Sequence, residues 1–126
     1  MPQRTAASPG AAEQHPADIE TMRDTARRAL DLEDVLPADD MLTLTEQLRG
    51  HLRLMVPEVE AMAARQGKES IPRACALACV GEARMKLTLQ SGPGMSREAA
   101  LARRLARVLN ALCDHYQNLG SAHGCR

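Results

Sequence analysis

A chain of 126 residues with 16 basic and 16 acidic side chains has room for one hydrophobic core. Its net charge of zero gives it no overall electrostatic drive toward nucleic acid or an anionic membrane. It contains no Trp, no Phe and a single Tyr (Tyr116), which removes the ring platforms on which single-stranded nucleic acids stack and favours helix over sheet.

Residues 1–16 are mostly Ala, Pro, Gln, Gly and Ser without apolar periodicity, and they read as a disordered leader before a helical domain over residues 17–120. The first helix is expected from about Asp18, its N-cap, to Asp34, with Ile19, Met22, Ala26, Ala29 and Leu30 on one stripe and Leu36-Pro37 as the stop. From Glu13 to Asp40 nine acidic residues stand against three arginines, whereas Arg97, Arg103, Arg104 and Arg107 have only Glu98 nearby. The first and last helices are therefore expected to lie side by side and compensate each other.

The second helix, about Asp39 to Gln66, carries the cleanest pattern. Met41, Leu48, Leu52, Met55, Val59 and Met62 form one narrow seam, and Gly67 follows as the stop. Pro57 falls opposite that seam, so the helix should kink there with the proline on its outer side. Ser70 caps a third helix of about Ile71 to Gln90, with Pro72 tolerated in its first turn. Ser91-Gly92-Pro93-Gly94 breaks the chain before a fourth helix capped by Ser96. Its stripe is Leu101, Leu105, Val108, Leu109, Leu112, Tyr116 and Leu119, with Gly120 as terminator and residues 121–126 as a flexible tail. Connections this short force sequential helices antiparallel, so the expected fold is all-α, an up-down bundle of about four helices.

No apolar run follows the N-terminal charges and no stretch approaches membrane-spanning length, so a cytoplasmic protein with reduced thiols is expected. Cys75 and Cys79 share a helix face, and folding the third and fourth helices about Gly92 to Gly94 returns Cys113 to the level of Cys75. Three converging thiolates could hold zinc or copper(I). The paired Cys-x-x-Cys knuckles of structural zinc sites are absent, however, and cysteine packs well as a small hydrophobe. The three are therefore read as core residues, with no metal and no cofactor. His51 and His115 lie at stripe edges and have no His, Cys or carboxylate four residues on; they read as boundary residues.

In the third helix, Ile71, Cys75, Ala78, Met85 and Leu89 line one face, expected to be core, and Glu82 falls among them. Its expected partners across the hairpin are Arg103 and Arg104. The opposite face carries Leu77, Val80 and Leu87 with Arg84. Apolar groups on both faces exceed what one small core needs, so Leu77, Val80, Leu87 and Arg84 are expected to form an interface with a second copy or a larger enzyme. The second helix adds Leu42, Leu54 and Val56 off its own seam. There is no Gly-rich phosphate loop, no Ser-His-Asp set and no paired acid and base, so no catalytic residue is identified.

Several stretches together carry a family resemblance: Asp39-Asp40-Met41-Leu42, Leu48-Arg49-Gly50-His51-Leu52, Gly81-Glu82-Ala83-Arg84, and above all Leu101-Ala102-Arg103 through Leu112-Cys113-Asp114-His115-Tyr116-Gln117-Asn118-Leu119. Over about residues 18 to 119 the chain resembles a family of small actinobacterial proteins of unknown function labelled natural-product biosynthesis protein. The resemblance implies a Streptomyces-like source and a link to secondary metabolism, and it defines no catalytic residues. A narrower match in size and character is the small partner subunit that, beside a methyltransferase-like protein, closes an aziridine ring in azinomycin-type pathways. The leading expectation is a non-catalytic or co-catalytic accessory subunit that binds a larger biosynthetic enzyme, with no nucleic acid and no membrane as partner. The alternatives are a stand-alone bundle binding a small molecule or a thiolate-held metal, and a regulator of a biosynthetic cluster.

Overall fold

Leu, Ala and Met supply both the helix propensity and the core of this protein, and the helices they form meet along four apolar stripes. The computed structural model describes residues 7–32, 36–90 and 95–125. Among them are α1 (Ala7–Leu30), α2 (Ala38–Ala64), α3 (Ile71–Leu87) and α4 (Met95–Cys125), and no strand. No described helix is long and apolar enough to cross a membrane.

α1 starts at Ala7, so residues 7–16, expected as a leader, are its first turns, and Asp18, expected as its cap, lies inside it. Ala11, Ala12, Glu13 and Gln14 are good helix formers, and Pro9 falls in the first turn, where its missing N–H has no intrahelical partner to lose. Ile19, Met22, Ala26 and Ala29 are buried as their spacing requires. Arg27 and Arg28 occupy the last turn, where cations oppose the helix dipole. α1 ends at Leu30, four residues before the expected Asp34, with Asp31 in a turn and Leu32 already irregular ahead of Leu36-Pro37.

α2 continues through Pro57, which is exposed on the side away from the seam. Met41, Leu48, Leu52, Met55 and Val59 are buried, and Met62 is half-buried. Leu44 and Val56 join them, which widens the seam because α2 touches three helices; Val56 is core and not surplus surface. α4 is buried over an equally wide face from Glu98 to Leu119, for the same reason. It continues past Gly120 to Cys125. The Met62 methyl stands 3.6 Å from where a Cβ on Gly120 would be.

α2 and α4 pack on each other and on both remaining helices, whereas α1 and α3 lie on opposite sides of that central pair, with no contact between them among the described residues. The antiparallel order is visible in cross-helix contacts. Arg28 donates to Gln47 at 2.9 Å while Thr25 meets His51, and Arg84 meets Glu60 while Arg49 reaches Leu87.

α3 is capped by Ser70, whose hydroxyl accepts from the Arg73 N–H at 3.1 Å. Its other end is held by α2: the Arg49 guanidinium donates to the carbonyls of Leu87 at 3.1 Å and Leu89 at 2.9 Å. The rotation of α3 inverts the expected assignment of its faces. Ala76, Cys79, Val80 and Ala83 are buried, whereas Ile71, Cys75, Ala78, Glu82 and Met85 face solvent. The physical reason is size. A seam of small residues lets α3 lie close along the groove between α2 and α4, and the Arg84–Glu60 pair and the Arg49 clasp fix that rotation.

Candidate functional site

Val80, expected at an interface, is 1% exposed and belongs to the core, and Leu77 and Leu87 are half-buried against it. Arg84 is exposed and spends its charge within the molecule. Its Nη2 lies 2.7 Å from Glu60 Oε1 and its Nη1 3.3 Å from Oε2, which holds the Glu60 carboxyl below the usual carboxylate range. The surface presented by α3 is the face expected to be core. Ile71 (73% exposed) and Met85 (63%) stand at its two ends, with Ala74, Cys75, Ala78 and Gly81 exposed between them. Glu82 is the one charged residue in that stripe, and it meets Lys86 at 3.4 Å one turn on, not Arg103 or Arg104 as expected.

Glu82 also borders a shallow cleft of about 430 Å³ shared with Lys86, Arg104, Arg107, Val108 and Ala111. Arg97, Arg104 and Arg107 are exposed along α4, and none makes an ion pair with another described residue. The expected compensation between α1 and α4 runs in the reverse sense: Arg23 of α1 reaches Asp114 and Gln117 of α4, each at 2.8 Å.

The thiols do not converge. Cys75 is exposed, whereas Cys79 and Cys113 are buried. Burial pushes both buried thiols up to about 11; Glu82 and Asp114 add to it at Cys79, while at Cys113 Arg23 works against burial and Asp114 with it. Both are therefore protonated near pH 7 and weak nucleophiles as they stand. Among the described residues no group of three or more His, Cys, Asp or Glu side chains could hold a metal ion.

His51 and His115 are both half-buried. Thr25 is buried and gives its hydroxyl proton to the Thr21 carbonyl at 3.0 Å, so His51 Nε2, 3.3 Å from that hydroxyl, acts as the donor to it. The same end of the bundle holds a groove of about 980 Å³ between α1 and α2. Leu32, Leu36 and Leu44 line it together with Asp24, Asp31 and Asp40, and Arg27 and Arg28 also border it. Arg27 is paired with Asp24 at 2.6 Å and Arg28 with Gln47. Neither this groove nor the Arg49 clasp is legible in the sequence, because each joins residues from two helices whose relative rotation no local pattern records.

Residues 20–121 match DUF6415, described as a family of unknown function. The chain belongs to that family. The matched span of this DUF6415 member contains the α3 face, the α4 arginines and the α1–α2 groove. No curated protein and no solved structure matches the chain.

Proposed function

We propose that this DUF6415 protein is a small helical accessory subunit in natural-product biosynthesis, which binds and supports a larger biosynthetic enzyme. A methyltransferase-like subunit of aziridine-type ring formation is the narrower case. The single observation that carries the binding role is the outer face of α3, an apolar helix stripe from Ile71 to Met85 with one charged residue in it. A surface helix of a small bundle normally turns a polar face to water, and side chains of this size left exposed favour association. The biosynthetic context comes from the sequence resemblance over about residues 18 to 119.

The test is reconstitution with the methyltransferase-like or other biosynthetic enzyme encoded beside this chain in its producer. A complex on size exclusion with light scattering, lost with Ile71→Asp/Met85→Asp and accompanied by a fall in the enzyme's turnover, is the expected result. Full turnover without the subunit, and no complex, would overturn the proposal. The groove between α1 and α2 favours a second reading, a stand-alone binder of a cationic amphiphile. Asp31 and Asp40 would face the cation and Leu32, Leu36 and Leu44 the apolar body. A rise in melting temperature with such amines, abolished by Asp31→Asn/Asp40→Asn, distinguishes it.

A further inference from the structure

We infer that the element docking on α3 is an acidic amphipathic helix; this rests on the reading of the α3 outer face as the binding surface. Ile71 and Met85 lie fourteen positions apart, roughly 21 Å along the axis, which matches four turns of a docked helix. Ala74, Cys75, Ala78 and Gly81 between them are small, and a Cβ added at Gly81 would meet nothing within 4 Å. The surface is therefore a shallow trough closed at each end by a large apolar side chain, suited to receive an apolar ridge.

The charge along one edge of that trough is net positive: three cations stand there against Glu82. Lys86, Arg104 and Arg107 share the cleft that begins at Glu82, and Arg97 continues the exposed row along α4. Lys86 is engaged by Glu82, which leaves the arginines without an ion-pair partner among the described residues. Asp24 pairs with Arg27 and Asp114 with Arg23, and no ion pair among the described residues reaches Arg97, Arg104 or Arg107. A partner that buries Ile71 and Met85 also sets its flank against Arg104 and Arg107, and carboxylates there gain where ammonium groups would be repelled. A nucleic acid would use the arginines and leave the apolar trough in water, so the observations favour a helix of protein.

The test uses the full chain and synthetic helical peptides of about 18 residues, long enough to span the trough, followed by fluorescence anisotropy. One peptide carries Leu at i, i+3, i+4 and i+7 with Glu on both flanks; a second replaces Glu by Lys, and a third replaces Leu by Ser. The Glu/Leu peptide is expected to bind at least about tenfold tighter than the other two, and more weakly as salt rises from about 50 to about 300 mM. Arg104→Glu/Arg107→Glu should weaken it by about tenfold or more and admit the Lys-flanked peptide, with Arg104→Gln/Arg107→Gln intermediate. Glu82→Gln should tighten it.

Unchanged affinity in both arginine variants, together with loss in Met85→Asp, would overturn the acidic helix and leave the docking face standing. Indifference to Ile71→Asp and Met85→Asp would overturn the face itself. No binding by the Glu/Leu peptide, a tighter complex with duplex DNA, or a self-association that Met85→Asp abolishes would each overturn the inference. Circular dichroism of every variant separates these outcomes from unfolding.

Discussion

Truncating Val80 tests the rotation of α3 directly, because the two possible rotations predict opposite results at two positions of the same helix. Val80 is fully buried in the seam against α2 and α4, and Met85 is mostly in water. Val80→Ala removes two methyl groups from a close-packed site, and transfer and cavity terms together put the loss at about 2 kcal/mol. With a urea m-value of about 1.5 kcal/mol/M for a domain of this size, the midpoint should fall by roughly 1 M. Val80→Asp buries a carboxylate with no cation provided for it; at about 3–5 kcal/mol it removes much of the stability a small domain has. Met85→Asp should cost less than about 1 kcal/mol, mostly from an anion in the last turn of a helix. The assay is urea unfolding followed by far-UV circular dichroism, since a chain without Trp and with one Tyr has little fluorescence to report. A Val80→Ala midpoint within about 0.3 M of the parent, or a Met85→Asp loss as large as that of Val80→Ala, would refute the rotation.

Arg49→Met should destabilise by about 1–3 kcal/mol, because two carbonyls at the end of α3 lose a charged donor; urea midpoints check it, and a neutral result would mean that water replaces the guanidinium fully. In a Cys125→Ser background, Cys75 should react with Ellman's reagent at once, and Cys79 and Cys113 only as fast as the helices open. Stability should fall from about pH 9 through pH 11: the two buried thiols ionise near 9.0 when unfolded but only at about 11 when folded, so their contribution is complete below the lower value and lost as pH rises through the higher one. Cys79→Ser/Cys113→Ala should flatten that decline in pH-dependent thermal melts. Pro57→Ala should be neutral or stabilising by up to about 1 kcal/mol, since the ring is exposed and the substitution restores a helix hydrogen bond; a large loss would show that the core requires the proline.

The number of helices and three of the four apolar stripes are legible in the sequence because each is a local matter of period, cap and breaker. Ser70 with Pro72 marks the start of α3, and Met41 to Val59 reads as one seam on any helical wheel. α3 defeats the same reasoning. With Ile71, Cys75, Ala78 and Met85 on one side and Leu77, Val80 and Leu87 on the other, periodicity has two solutions, and hydrophobicity alone prefers the larger set. The choice falls to what the neighbours admit: Ala76 and Ala83 allow close approach, and Glu60 and Arg49, distant in sequence, hold the helix in that rotation. Glu82 was the visible sign, since a carboxylate in the supposed core stripe is better explained by that stripe facing water. The surplus of apolar surface on α3 was legible; the side of the helix that carries it was not.

The separation of α1 from α3 by the central α2–α4 pair sets the molecule's two candidate ports apart. The α1–α2 groove opens on one flank and the α3 trough on the other, and no side chain lines both. Whatever occupies one can influence the other only by displacing α2 or α4, whose buried Leu48, Leu52, Leu105, Leu109 and Leu112 interlock as a stiff spine. Linkage between the ports should then be close to zero, so that a molecule seated in the groove leaves a protein's hold on α3 unchanged, and the reverse. On the proposed reading, a bundle built this way would act as an adaptor with two uncoupled sockets, holding two different things side by side without arbitrating between them.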